Sequence, residues 1–112
     1  MPDLDLGIVI ARREFELGDS GKVILEVGTP YPVDDGKTWF CPYRILGLGN
    51  ERVKRTGGID SVQAVYMALQ MAGTDLYTSD PSRQKELTWC GQLNLGLPVP
   101  KTIADMVPPE DQ

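Results

Sequence analysis

The segment from Asp60 to Tyr77 is the only stretch of this 112-residue chain that the sequence predicts as a long helix. Asp60 and Gln63 have the spacing of a capping box, in which each side chain accepts a hydrogen bond from a backbone N–H at the helix start. Two apolar stripes follow at helical spacing. The first contains Val62, Val65, Tyr66, Leu69, Gly73 and Leu76, and the second contains Ala64, Met67, Ala68 and Met71.

These stripes predict a helix covered on both sides, because a helix without a charged side is usually buried more than once. We expect the Val62-to-Leu76 stripe to pack on a sheet. The C-terminal segment 93–99, where apolar residues alternate with Asn, Gly and Pro, is one candidate to cover the second stripe. The alternative cover is a second copy of the chain, bound through Met67 and Met71, whose side chains adapt easily to an interface.

Strand-like segments precede the helix from Leu6 to Arg55, separated by turns at 18–21 and at Gly49-Asn50. The last of them covers Glu51 to Arg55. Strands that all precede the helix, instead of alternating with helices, argue against a doubly wound sheet. The predicted fold class is α+β, with a four-stranded, mainly antiparallel meander sheet packed on one long helix and an extended C-terminal segment.

Length and composition predict a single domain over residues 1–100, followed by a flexible acidic C-terminal tail over residues 101–112. No apolar run approaches the roughly 20 residues of a membrane-spanning helix. The N-terminus has neither the basic region nor the cleavage site of a secretory signal. The expected location is therefore the cytoplasm.

The chain contains no histidine, which excludes cysteine–histidine catalysis and histidine-containing zinc sites. Cys41 and Cys90 lie among large apolar residues, so we expect both to be reduced, buried and unreactive. Asp34 and Asp35 lack the further oxygen ligands of a calcium loop. We therefore predict no catalytic residue, no metal site and no cofactor, and the net charge of −5 makes nucleic-acid binding an unlikely activity.

A basic corner precedes the helix and is the one candidate anion-binding site. It contains Arg52, Lys54, Arg55, Gly57 and Gly58. Backbone N–H groups at a helix N-terminus attract anions, although Asp60 competes for them here. A cleft lined by Arg44 or Lys54 together with a carboxylate would favour a small-ligand binder or a small enzyme. Arg44 itself is first expected to pair with Glu14 or Glu26 across the sheet.

A protein-binding surface is the other candidate site, formed by Ala64, Met67, Ala68 and Met71 on the helix, with Trp39 and Tyr43 as an aromatic patch if exposed. The absence of a catalytic constellation favours a non-enzymatic protein-binding or accessory module. An immunity-like role would use the acidic surface against a basic toxin.

Two motifs resemble a known family. The run Phe40-Cys41-Pro42-Tyr43-Arg44-Ile45 and the run Gly57-Gly58-Ile59-Asp60-Ser61-Val62-Gln63-Ala64 resemble those of small bacterial proteins described as a domain of unknown function. The likeness spans roughly Leu6 to Pro100. It implies a compact bacterial cytosolic domain and brings no catalytic residue with it.

Overall fold

The computed structural model describes residues 4–110 and shows an antiparallel sheet packed on one long helix, which confirms the α+β class. The strands are β1 Val9–Leu17, β2 Gly21–Gly28, β3 Tyr31–Val33, β4 Thr38–Leu46, β5 Lys54–Gly58 and β6 Leu87–Thr88. The α-helices are α1 Ser61–Tyr77 and α2 Asp80–Arg83, and 3-10 turns cover Asp34–Gly36 and Lys101–Met106.

The sheet has six strands, two more than the predicted meander. β2 and β3 behave as one bent strand beside β4, because Val27 lies opposite Tyr43 and Tyr31 opposite Phe40, with a one-residue change of register between them. β5 pairs with the other edge of β4, and β6 pairs with the end of β1. Across the sheet the order is therefore β6, β1, β2 continued by β3, β4 and β5.

The position of β5 corrects the prediction of a strand from Glu51 to Arg55 after a two-residue turn. β5 begins only at Lys54. Glu51 Oε2 accepts a hydrogen bond from Gly47 N–H at 3.0 Å, and Asn50 Oδ1 accepts one from Arg52 N–H at 3.2 Å. These side-chain contacts hold the residues between β4 and β5 in a loop, so the strand starts later than the turn signal suggested.

Helix α1 begins where the capping box predicted. Asp60 Oδ1 accepts a hydrogen bond from Gln63 N–H at 2.8 Å, and Gln63 Oε1 accepts one from Ile59 N–H at 2.8 Å. Asp60 has extended backbone angles, as an N-cap residue should. The predicted end at Tyr77 is also confirmed.

The predicted sheet-facing stripe of α1 is wrong for Val62 and Tyr66, although its C-terminal members Gly73 and Leu76 are buried. Ala64, Ala68 and Ala72 are fully buried, whereas Val62 is 75% exposed and Tyr66 is 50% exposed. The cause lies in β5, where a Cβ on Gly58 would lie only 2.6 Å from the backbone nitrogen of Ala64. Helix and strand approach so closely that only small side chains fit between them.

The C-terminal segment covers α1 on a different side from the one predicted. A Cβ on Gly73 would overlap the carbonyl oxygen of Pro98 and lie 3.1 Å from Val99 Cγ1. Leu95 is fully buried, and its N–H donates to the Tyr77 hydroxyl at 2.7 Å. The segment therefore lies over the C-terminal half of the stripe that was assigned to the sheet.

Buried side chains from the sheet, α1 and the C-terminal segment form one core. Its largest members are Tyr43, Tyr77, Phe15, Leu76, Leu87 and Leu95. Val107 also packs against this core, and Asn94 Nδ2 donates to the carbonyl of Pro108 at 2.7 Å. The flexibility predicted for residues 101–112 stays a prediction, and residues 111–112 lie outside the described residues.

Candidate functional site

A cleft of about 240 Å³ opens where β5 leaves the edge of β4. Lys54 is the first paired residue of β5 and lies opposite Tyr43, so the following residues of β4 have no strand on that side. The loop between β4 and β5 forms one wall, and the C-terminal end of α1 forms the other. Polar and charged side chains line the cleft, including those of Tyr43, Arg44, Arg52, Lys54, Asp75 and Ser79.

Asp75 is the carboxylate of this cleft. Its Oδ2 accepts a hydrogen bond from the Tyr43 hydroxyl at 2.8 Å and pairs with Lys54 Nζ at 3.0 Å. Tyr43 is only 1% exposed. Burial, followed by the hydrogen bond to Asp75 and the charge of Asp75, raises the pKa of the Tyr43 phenol above its usual range. The phenol therefore stays protonated at neutral pH and holds Asp75 in place.

The three cations of the cleft retain unused hydrogen-bond donors. Arg44 Nε donates to Glu26 at 2.7 Å, which confirms the predicted cross-strand pair and leaves the two terminal nitrogens of Arg44 without a partner in residues 4–110. Lys54 has one partner, Asp75. The guanidinium of Arg52 has no partner among the described residues. Since arginine has five N–H donors and lysine three, donors are in excess in the cleft.

The residues of the predicted anion site do not converge. Arg52 and Lys54 line the cleft, next to the C-terminal end of α1. Arg55 lies over the Phe40 ring at 4.0 Å and donates to the Tyr31 hydroxyl. Gly57 and Gly58 are paired within the sheet. Arg52 and Lys54 therefore lie near the C-terminal end of α1, at the opposite end from the helix N-terminus. At the N-terminus, Asp60 already accepts a hydrogen bond from the backbone.

The residues of the predicted protein-binding surface are also separated. Ala64, Ala68 and Tyr43 are buried in the core, and Trp39 is half-buried against it. On the helix, Met67 is half-buried and Met71 is 38% exposed, so these two remain accessible. The homodimer contact predicted for this face stays a prediction that now rests on Met67 and Met71 alone.

The two cysteines occupy different environments. Cys41 is buried in the core, and burial raises the pKa of its thiol to about 11. Its predicted burial is thereby confirmed. Cys90 was also expected to be buried but is exposed, because it lies with a positive φ of 52° in the tight turn between Trp89 and Gln92. Both cysteines are free.

A second feature is the outer edge of β1. β6 pairs only with Glu16 and Leu17, and Gly18 N–H donates to the carbonyl of Glu86 on the same side. Because backbone groups alternate sides along a strand, the N–H and C=O groups of Arg12 and Glu14 also point to that side. In the described part of the chain no strand pairs with them.

Apolar side chains surround the start of this edge. Ile8 is 79% exposed and Ile10 is 50% exposed, and Val9 is partly exposed. Thr29 Oγ1 donates to the carbonyl of Ile8 at 2.9 Å, which ties the start of β1 to the neighbouring strand. The exposed isoleucines therefore sit on an ordered backbone.

Within residues 4–110, no group of three or more histidine, cysteine, aspartate or glutamate side chains could hold a metal ion. In the same range, no helix is long and apolar enough to cross a membrane.

Residues 11–99 match the family described as "Domain of unknown function (DUF6968)". The chain belongs to this family. The DUF6968 match extends from β1 to the segment over α1 and includes the cleft and the Arg12–Glu14 edge. No curated protein and no solved structure matches the chain.

Sequence reasoning missed two parts of this DUF6968 domain that carry weak signals. Asp75 lies in the last turns of α1, where the helix dipole disfavours a carboxylate, and this indicates a cation close by. Ile8 and Ile10 lie on one parity of β1 while Val9 and Ala11 lie on the other. In a sheet covered by a helix on one face only, apolar residues on both parities indicate an exposed apolar surface.

Proposed function

We propose that this DUF6968 domain is a non-enzymatic protein-binding module that receives an extended segment of a partner protein along the edge of β1. The observation that carries the proposal is the unpaired backbone of Arg12 and Glu14, flanked by exposed Ile8 and Ile10. An exposed strand edge can bind another chain through main-chain hydrogen bonds, and neighbouring side chains then add selectivity.

The geometry of the edge limits how the segment binds. The register of β1 against β2 shifts between Val9 and Ala11, so regular pairing is available only from Ala11 onward. β6 blocks the edge from Glu16. A partner segment would therefore make its main-chain hydrogen bonds to Arg12 and Glu14 and place apolar side chains near Ile8 and Ile10.

We place the module in the bacterial cytoplasm. Two free cysteines are consistent with a reducing compartment. An immunity-like role is included, since the net charge of −5 would speed association with a basic partner.

An affinity experiment with two variants at one position tests this function. Arg12→Pro removes an N–H that points away from β2, and proline is tolerated on an edge strand. Arg12→Ala removes the side chain and keeps the N–H. Proteins recovered from the native host and identified by mass spectrometry should bind the natural chain and Arg12→Ala but not Arg12→Pro. Recovery of the same proteins by all three chains, with all three folded by circular dichroism, would refute strand addition.

Small-ligand binding in the cleft is the second candidate function. The specific observation in its favour is that Arg44, Arg52 and Lys54 meet the carboxylate of Asp75 in one cleft. Cations and a carboxylate in one cleft are the combination that favours a small-ligand binder. Thermal unfolding in the presence of small anionic metabolites should show a rise in midpoint that depends on the intact cleft.

A further inference from the structure

We infer that the cleft between the β4–β5 loop and the end of α1 binds a small dianion, either a phosphate monoester or a dicarboxylate. This inference rests on the second candidate function and names its ligand class. It concerns the cleft alone and is independent of strand addition at β1.

The sign of the ligand follows from the hydrogen-bonding groups that the cleft offers. Among residues 4–110, Arg52 uses none of its side-chain donors, Arg44 uses only Nε, and Lys54 donates to Asp75. The Asp75 Oδ2 atom already accepts two hydrogen bonds. A ligand that pairs with the unused donors must supply hydrogen-bond acceptors. Charged oxygens form the strongest hydrogen bonds with guanidinium groups.

The neighbouring carboxylates Glu26 and Glu51 each have a hydrogen-bond partner already. Glu26 is occupied by Arg44, and Glu51 accepts the N–H of Gly47 in the loop. Two arginines offer planar, paired donors that match the oxygens of a phosphate or a carboxylate, which a lysine alone does not. The two guanidinium groups together offer more paired donors than one carboxylate can accept, so a ligand with further charged oxygens, such as a phosphate monoester or a dicarboxylate, fits them better.

The end of α1 determines where in the cleft the anion lies. The C-terminal end of a helix is negative and repels an anion. The Thr78 and Ser79 hydroxyls donate to the carbonyls of Thr74 and Leu76 and are not free to donate to a ligand. The charged oxygens should therefore lie against Arg44 and Arg52, away from the C-terminal end of α1.

Isothermal titration of the full chain with glycerol 3-phosphate, succinate and inorganic phosphate tests the inference. At least one of the two organic dianions should bind, and Arg52→Ala should weaken that binding about tenfold or more. Lys101→Glu is the control, because Lys101 is exposed in the 3-10 turn and outside the cleft. Its effect should be less than about twofold at physiological salt.

A third variant tests the sign of the ligand's charge. Asp75→Asn keeps an acceptor for the Tyr43 hydroxyl and removes a negative charge, so it should tighten binding of a dianion. A weaker interaction in Asp75→Asn, equal losses in Arg52→Ala and Lys101→Glu, or no heat with any probe would each overturn the inference. Because the probes do not involve β1, none of these results would alter the outcome of the Arg12→Pro experiment.

Discussion

Three buried side chains make the stability of the fold depend on pH in the alkaline range. Burial is the main cause that raises the pKa of Tyr43 and of Tyr77, and it raises the pKa of Cys41 to about 11. Hydrogen bonding to Asp75 raises the pKa of Tyr43 further, whereas backbone N–H groups at Leu95 and Gly96 partly oppose the rise at Tyr77. All three groups are therefore neutral in the folded chain at pH values where the unfolded chain has begun to ionise.

We expect the free energy of unfolding to fall as the pH rises above about 9. The folded state then holds protons that the unfolded state has released, so the stabilisation is complete below the unfolded-state pKa values and is lost at higher pH. Each group contributes a slope of up to about 1.4 kcal/mol per pH unit. Urea unfolding between about pH 8 and pH 11 measures the slope. Tyr43→Phe should make it shallower, and an unchanged slope in that variant would exclude Tyr43 as a cause.

At the scale of elements, the contact between α1 and β5 decides which side of the helix faces the sheet. Gly58 removes the side chain that would separate the two elements, and Thr56 Oγ1 donates to the carbonyl of Ala64 at 3.0 Å. The alanines at positions 64, 68 and 72 then form a flat surface against the sheet. The larger side chains of Val62 and Tyr66 are left on the exposed side.

Two substitutions on α1 test this arrangement. Ala68→Leu forces a larger side chain into the contact with the sheet and should destabilise the fold by about 1–3 kcal/mol. Val62→Ser changes an exposed position and should change stability by no more than about 0.5 kcal/mol. Chemical unfolding of both variants measures the difference. The reverse ranking would restore the face assignment made from the sequence.

The sequence predicted the start of α1 because N-capping depends on local residues, here Asp60 and Gln63. It predicted a cross-strand acidic partner for Arg44, with Glu14 and Glu26 as the two candidates, because these residues lie on predicted neighbouring strands, and the structure shows that the partner is Glu26. It did not predict which helix stripe faces the sheet, since apolar periodicity weights Val62 and Tyr66 above alanine. The four-residue spacing of Ala64, Ala68 and Ala72, together with the preceding pair of glycines, does indicate close packing of α1 on the sheet. Asp75 was not identified as the carboxylate of the cleft because it meets Lys54 only through tertiary packing.

At the scale of the whole molecule, the C-terminal segment links distant parts of the chain. Arg13 Nη1 donates to the carbonyls of Leu95 and Gly96 at 3.0 and 3.1 Å, and the Arg13 guanidinium stacks 3.7 Å from the centre of the Trp89 ring. Leu95 itself fills a fully buried position. The segment therefore completes the core as well as covering α1.

Two truncations separate the parts of this segment. A chain ending at Pro100 loses the packing of Val107 and the bond from Asn94 to Pro108, and we expect a loss of about 1–2 kcal/mol. A chain ending at Gln92 also loses Leu95 and should lose at least about 3 kcal/mol, which is a large part of a typical domain's stability. Thermal unfolding followed by circular dichroism distinguishes them. Equal stability of the two chains would show that residues 93–100 are not part of the domain.

The bond between Arg13 and Leu95 joins residues 82 positions apart, and Leu87 and Leu95 enter the core after every strand of the meander. During synthesis the first strands leave the ribosome long before these leucines do. The sheet and α1 can form early, but the apolar space left for Leu95 stays open until Leu95 itself has left the ribosome. Closing contacts of such long sequence separation is slow. The growing chain therefore exposes apolar surface until residues 93–99 have emerged, and a mutation that slows the docking of these residues would appear first as aggregation of newly made protein.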